Sequence, residues 1–199
     1  MEGYQEILLH QVEGFVAEIF KSQLPEGMYF HNFEHTQLVV KGVEVISRKN
    51  GLSEDEQFVL IIAAFLHDIG YSKIYTGHEQ VSAEMAAGFL AAHGAPPEMI
   101  TRVGACIMAT RYPQQPKTAM EMTICDADFY HFALNDYLDF ADRLKHEWEE
   151  KLGMTFSDQE WNYLNIKFLT EHRYFTDYGK NKLQPKKEEN IQKLKARIG

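Results

Sequence analysis

The sequence lacks the features that mark disulfide-rich, membrane-spanning and secreted proteins. It has 2 cysteines among 199 residues, with neither a CxxC pair nor a zinc-finger spacing, which favours a reducing compartment and predicts that Cys106 and Cys125 are small core residues. The longest apolar run, residues 59–66, is far shorter than the ~20 residues that span a membrane. The first residues have no basic start and no apolar signal core. We therefore expect a cytoplasmic protein with no membrane partner.

Positive charge is also scarce. Lys plus Arg number 20 and Asp plus Glu 29, so the formal net charge is −9. Binding to a nucleic-acid polymer needs a basic face, and this balance argues against it. The negative net charge is still compatible with a small anionic substrate, because a bound metal ion can supply local positive charge.

Helical spacing of apolar residues dominates the chain, and strand-type alternation is rare. Ser53 with Glu56 and Ser157 with Glu160 read as capping boxes that open helices. The pattern predicts an all-α, single-domain helical bundle over residues 1–179. A polar C-terminal tail, residues 180–199, is a candidate for a further, peripheral helix. Apolar residues on the last helices could form the contact of a homodimer.

Acidic and histidine side chains stand beside strongly apolar sequence at three places. Each pair alone has an ordinary explanation as a helix cap, a satisfied core histidine or a salt bridge. Across the three places, however, His35, His67, Asp68 and Asp128 supply two imidazoles and two carboxylates on core-facing helices, a set that suits a divalent cation, and an unpaired buried charge is costly. The pairs are His31 and His35, His67 and Asp68, and Asp126 and Asp128.

The order His35, His67-Asp68, Asp128 resembles the H…HD…D signature of the HD superfamily of metal-dependent phosphohydrolases. The stretch from His31 to His35 is similar to the HNxxH element of the cyclic-nucleotide phosphodiesterase branch. The similarity covers roughly residues 28 to 150, which would form the core of an HD-type domain.

The resemblance implies metal ligands at His35, His67, Asp68 and Asp128. It implies two catalytic residues: His31 as the acid that protonates the leaving oxygen, and Asp68 as a ligand able to bridge to a second metal. By the same analogy, Asp126 orients a ligand or starts a helix. If the match to the motif is shifted by two residues, Asp126 would itself be the ligand. The cofactor would be one or two divalent ions per chain, from Mn, Fe, Mg, Co, Zn or Ni.

Other residues near the motifs have two readings each. His78 is a second-metal or phosphate-binding residue, or simply the start of a helix. Lys73, Arg111 and Lys117 hold a substrate phosphate or are solvated loop charges. Tyr71 and Tyr75 flank a nucleobase or pack, whereas the group Arg143, His146, Glu147 and Trp148 reads as mainly structural and as one wall of the pocket.

The leading hypothesis is a phosphohydrolase that cleaves a phosphodiester or phosphomonoester of a nucleotide or another small phosphate compound. A mixed-valent diiron oxygenase of the same superfamily is an alternative, although Thr110 stands where some relatives have a further histidine. The third hypothesis is a non-catalytic module that senses a nucleotide or a metal.

Overall fold

A computed structural model describes residues 2–198, so Met1 and Gly199, the ends of the two predicted ranges, lie outside it. Within these described residues the protein is all-α, as the sequence predicts, and contains no strand. No helix in this part of the chain is long and apolar enough to cross a membrane. The α-helices are α1 (Glu2–Ser22), α2 (Phe33–Lys49), α3 (Glu54–Leu66), α4 (His78–Ala92), α5 (Pro97–Ala109), α6 (Ala119–Asp128), α7 (Tyr137–Leu152), α8 (Asp158–Glu171) and α9 (Gln184–Ala196).

Both predicted capping boxes are confirmed. At the start of α3, the Ser53 side chain accepts a hydrogen bond from the Glu56 backbone, and the Glu56 side chain accepts one from the Ser53 backbone. Ser157 and Glu160 do the same at the start of α8. Each box satisfies two backbone donors that a helix start otherwise leaves free.

The buried apolar side chains form two clusters. The larger one is built mainly from α1 to α6, and both cysteines are buried as predicted. The smaller cluster joins α7, α8 and α9 to a 3₁₀ turn at Tyr130–Ala133. In the predicted tail, Ile191 and Leu194 of α9 are buried in this smaller cluster. The division of the chain at residue 180 stays a prediction.

Close packing of α2 on α6 sets the position of the polar groups between them. A Cβ atom at Gly42 would lie 3.2 Å from both Cα and Cβ of Ala127. This is tighter than normal van der Waals contact, so the missing side chain allows the two helices to approach. His35 of α2 and Asp128 of α6 are brought together by this approach.

The third helix ends earlier than the sequence pattern indicates. We expect it to run to about Gly70, but α3 ends at Leu66, and a 3₁₀ turn occupies Ile69–Ser72. Asp68, between them, has φ −109° and ψ 3°, which is not helical. This break lets His67 and Asp68 point toward the same space, which a continuous helix would not allow for neighbouring residues.

Candidate metal centre

Four side chains from three parts of the core converge at one point. The Nε2 atom of His35 lies 3.5 Å from Oδ2 of Asp68 and 3.4 Å from Oδ1 of Asp128. The Nε2 atom of His67 lies 3.1 Å and 3.8 Å from the same two oxygens. An ion with ligands at about 2.0–2.2 Å needs ligand atoms roughly 3–3.5 Å apart. The spacing of His35, His67 and Asp128 therefore fits a single divalent cation, and Asp68 contacts the metal-facing nitrogen of both histidines.

The hydrogen-bond pattern also fits a cation. Nε2 of His35, Nε2 of His67 and Oδ2 of Asp68 are buried and have no hydrogen-bond partner in the protein. Leaving such groups unpaired inside a protein is unfavourable, and a shared metal ion would satisfy all of them. One possible ligand atom from each of His35, His67 and Asp128 lies within 4.8 Å of the other two.

A backbone contact fixes the orientation of His67. Its Nδ1 atom lies 2.8 Å from the carbonyl oxygen of Ala64, so Nδ1 carries the proton and donates. The lone pair is thereby left on Nε2, the atom that faces the carboxylates. Ligating histidines in metalloproteins are oriented in the same way.

Without a metal, protons hold the carboxylates and imidazoles together. Burial lowers the pKa of His67, but the charges of Asp68 and Asp128 outweigh burial and raise it to about 9. Burial raises the pKa of Asp68, whereas its contacts with His67 and His78 hold it well below its usual value. A metal ion bound at Nε2 of His67 would have to displace this proton, so its affinity would fall as the pH falls.

His78, in the first turn of α4, faces the other oxygen of Asp68. Its Nε2 atom lies 3.3 Å from Oδ1 of Asp68, while its Nδ1 atom lies 3.3 Å from the carbonyl oxygen of Tyr75. Since Nδ1 donates to that carbonyl, Nε2 needs a proton or a cation between itself and the carboxylate. Asp68 thus presents Oδ2 to His35 and His67 and Oδ1 to His78.

His31 lies just before Asn32, the N-cap of α2, as the sequence predicts for a residue at the helix entrance. Its Nδ1 atom is hydrogen-bonded to Oε1 of Glu147, and the backbone N–H groups of Phe30 and His31 donate to Oε2 at 2.8 and 3.1 Å. The Tyr75 hydroxyl donates to Oε1 at 2.8 Å. Glu147 is fully buried, and these contacts fix both the carboxylate and the imidazole.

Glu147 is the functional candidate that sequence reasoning missed. Its spacing on the helix groups it with Arg143, His146 and Trp148 as mainly structural, but these side chains have different surroundings. Arg143 pairs with Glu34 at the surface, His146 is exposed, and Trp148 lines a cavity. No local signal distinguishes Glu147, because 116 residues separate it from His31.

One tyrosine ring packs against two of the histidines. Tyr71 stacks on both His31 and His78, with ring centroids 4.3 and 3.7 Å apart respectively. Its ring thus fills the space between them, which is a packing role. Burial and, after it, the negative charge of Asp68 raise the pKa of Tyr71, so its hydroxyl stays protonated.

Asp126 points away from this centre. It lies in the last turn of α6 rather than at a helix start, and it accepts hydrogen bonds from the backbone N–H groups of Phe175 and Thr176 and from the Thr176 hydroxyl, at 2.6 to 2.9 Å. Its described hydrogen bonds therefore tie α6 to the segment before α9. The residue that does approach a ligand is Gln114, whose side-chain nitrogen lies 3.4 Å from Oδ2 of Asp128.

The three proposed phosphate-binding cations are not brought to the centre. Lys73 is exposed and donates to Gln23 at 2.7 Å. Arg111 and Lys117 are exposed in the connection between α5 and α6. None of the three lines the cavity beside the four converging side chains.

That cavity has a volume of about 480 Å³, within the range of small-molecule sites. Asp68, Asp128, His31 and His78 line one end, and His131, whose pKa burial lowers well below its usual value, lies beside them. Much of the remaining wall is aromatic. The aromatic lining residues are Phe30, Tyr71, Tyr75, Tyr112, Phe129, Phe132, Tyr137, Phe140, Trp148, Trp161 and Phe168.

Comparisons with known proteins agree with this picture. The HD domain family matches residues 32–133, which include all four converging side chains. A predicted HD superfamily hydrolase from an uncultured Thermotogales bacterium has a similar structure, with a TM-score of 0.64 and 19% sequence identity. The similarity covers 96% of this chain and 92% of that one.

A second similar structure is that of YpgQ from Bacillus subtilis, solved in complex with ADP. Its TM-score is 0.66 at 16% identity, over 96% of this chain and 97% of that one. Identities this low show a shared fold and no more. A search of curated proteins found no match.

Proposed function

The chain belongs to the HD domain family through residues 32–133, and from that premise we propose that it is a metal-dependent phosphohydrolase. The observation that carries the proposal is the set of buried, unpaired ligand atoms of His35, His67 and Asp68 facing Asp128. We propose these four residues as metal ligands. The two oxygens of Asp68 and the position of His78 support a second ion in the same site.

The donor set of two imidazoles and two carboxylates fits Mn, Fe, Co, Ni, Zn or Mg. When bound, such an ion would supply an activated water molecule and polarise a phosphoryl oxygen. The protein's part is to hold the ligands in one geometry. The Ala64 carbonyl does this for His67, and the packing of α2 on α6 does it for His35 and Asp128.

His31 is the proposed general acid. Its Nδ1 atom is engaged by Glu147, which leaves Nε2 free to donate toward the cavity that His31 lines. As the water oxygen bonds to phosphorus and the ester P–O bond breaks, the leaving oxygen takes the proton from Nε2; the proton that the water loses passes to solvent, from which His31 is protonated again. Burial lowers the pKa of His31, but the adjacent Glu147 charge more than offsets this and raises it above its usual value, which favours the protonated form that a general acid needs.

The proposed substrate is a small phosphate ester, either a monoester or a diester. Two features favour hydrolysis over the two alternatives. The His31–Glu147 pair serves proton transfer, for which a sensing module has no use. At the position where a further histidine would support a diiron oxygenase, the Thr110 hydroxyl donates to the Ile107 carbonyl at 2.8 Å.

The test is to load the purified protein with Mn²⁺ and measure release of phosphate or alcohol. The panel should contain cyclic nucleotides, nucleoside mono-, di- and triphosphates, and alkyl and aryl phosphate mono- and diesters. We expect turnover of at least one class, and loss of both metal and activity in Asp128→Ala. His10→Ala, an exposed histidine on α1, is the matched control and should retain both. Metal binding without turnover of any class contradicts the proposal.

A further inference from the structure

The cavity has two ends of different chemistry. At the metal-centre end, carboxylates and imidazoles face the space. The wall contributed by α7 and α8 is mainly apolar, with Phe140, Leu144 and Trp148 from the first helix and Trp161, Leu164 and Phe168 from the second. Apolar lining of this extent beside a few convergent polar groups is typical of a site for a ligand with a large apolar part.

The charge of the cavity limits the ligand further. Among the described residues that line it, none is a lysine or an arginine, whereas Asp68, Glu79 and Asp128 are acidic. Recognition of a di- or triphosphate chain ordinarily uses several such cations. Here a phosphate group finds positive charge only where the metal and the histidines lie. The cavity therefore suits one phosphate, and no second phosphate beyond it.

We propose that the substrate is a phosphate ester with a single phosphate group and a bulky apolar alkyl or aryl substituent, which lies between α7 and α8. This inference rests on the proposed function, because the phosphate is placed at the proposed metal centre. Burial of each added methylene group should raise affinity about fourfold.

The tryptophans give a direct readout of occupancy. The chain has 2 tryptophans, and both line the cavity, with ring centroids 5.6 Å apart. Intrinsic fluorescence therefore reports on this site. We would titrate the Mn²⁺-loaded protein with methyl-, butyl- and octylphosphonate, which cannot be hydrolysed, and with AMP, ADP and ATP. We expect affinity to rise roughly 10²-fold from butyl to octyl, and octylphosphonate to bind more tightly than any of the three nucleotides.

Two wall variants test the location. Leu144→Asn and Leu164→Asn place a polar group on α7 and α8 respectively, and each should weaken octylphosphonate binding about tenfold or more while leaving methylphosphonate binding unchanged. Leu138→Asn makes the same change on α7 at a half-buried residue that does not line the cavity, and it should alter neither affinity. Thermal unfolding of each variant identifies any that do not fold, and one folded wall variant is sufficient.

Failure of this inference can be told from failure of the proposed function. Chain-length-dependent binding without hydrolysis of octyl phosphate supports the apolar site and contradicts the hydrolase. Hydrolysis of small esters with equal affinity for methyl- and octylphosphonate contradicts the apolar site alone. Tighter binding of ADP or ATP than of octylphosphonate also overturns it.

Discussion

His31 lines the cavity with one ring nitrogen already engaged, because Nδ1 is bonded to a buried carboxylate. Glu147 in turn receives two backbone N–H groups and the Tyr75 hydroxyl, so it cannot turn away from the imidazole. This arrangement leaves a single ring nitrogen to exchange a proton with a bound ligand. The position of that proton can be tested by changing either member of the pair.

Replacing the acid should affect poor leaving groups most. In His31→Gln we expect kcat for an alkyl phosphate to fall by roughly 10²–10⁴. The loss should be much smaller for p-nitrophenyl phosphate, since p-nitrophenolate departs without a proton. Steady-state kinetics with both esters measures the difference, and His146→Gln, at an exposed histidine on α7, is the control. Equal losses for the two esters would remove His31 from the proton-transfer step.

Removing the charge of Glu147 should shift the pH profile. The carboxylate raises the pKa of His31 against the opposing effect of burial, so in Glu147→Gln that pKa falls. The protonated acid is then lost at lower pH, and the alkaline limb of the kcat profile moves toward lower pH. Glu150→Gln, at an exposed glutamate of the same helix that accepts from Tyr29, should leave the limb in place. An unshifted limb in a folded Glu147→Gln protein would contradict the pairing.

The residues of this pair show where sequence reasoning stops. The signature positions and His31 could be predicted as site residues from the sequence motifs and the family resemblance, because these polar residues stand out against apolar neighbours. Glu147 could not, since an acidic residue on a polar helix is commonly solvated and its partner is 116 residues away. The phosphate-binding roles considered for Lys73, Arg111 and Lys117 came from loop position alone, and the structure leaves these side chains exposed.

At the scale of helices, the packing of α2 on α6 positions two of the four proposed metal ligands. Gly42 and Ala127 lie at their contact, and His35 and Asp128 lie on the same two helices. Any side chain at position 42 would have to separate them.

We therefore expect Gly42→Val to weaken metal binding as well as stability. Overpacking of this kind costs about 1–3 kcal/mol, and the shift of α2 moves His35 away from Asp128. Gly88→Val on α4 is the matched control, because no atom lies within 4 Å of a Cβ there. Urea denaturation and competition with a metal indicator measure the two effects. Unchanged metal affinity in Gly42→Val would show that the helix contact does not set the ligand geometry.

Helix starts were easier to predict than helix ends. The capping boxes at Ser53 and Ser157 are short-range patterns in which both partners are visible in the sequence, and both are confirmed. The sequence pattern predicts an end of α3 near Gly70, but the helix stops at Leu66. The break follows from the side chains of His67 and Asp68 turning to one centre, and that long-range requirement leaves no local signal.

Across the whole molecule, the metal centre joins parts of the larger core that are distant in sequence. In the metal-free state it is held by protons, above all the one on His67. The pKa of His67 is raised from 6.5 to about 9. The contribution of this protonated histidine to the stability of the fold is therefore complete below pH 6.5 and is lost as the pH rises through 9.

The metal-free protein should thus become less stable between pH 6.5 and pH 9, by up to about 3 kcal/mol. With Mn²⁺ bound, His67 no longer holds that proton, and the decline should be much smaller. Urea denaturation of chelator-treated and Mn²⁺-loaded protein at the two pH values measures this. His67→Gln without metal should show a reduced decline, whereas His10→Gln should keep it. A metal-free protein of constant stability would contradict the electrostatic description of the site.

The proposed metal ligands and the apolar wall come from different parts of the chain. The ligands lie within residues 32–133, where the family match also falls, and the wall of α7 and α8 follows after them. Apart from Glu147, which holds His31, residues of the later segment can be replaced without disturbing the reactive groups. Descendants of one ancestor can therefore diverge in what they accept while inheriting the same reaction, and exchanging that segment between two of them should transfer preference as a unit.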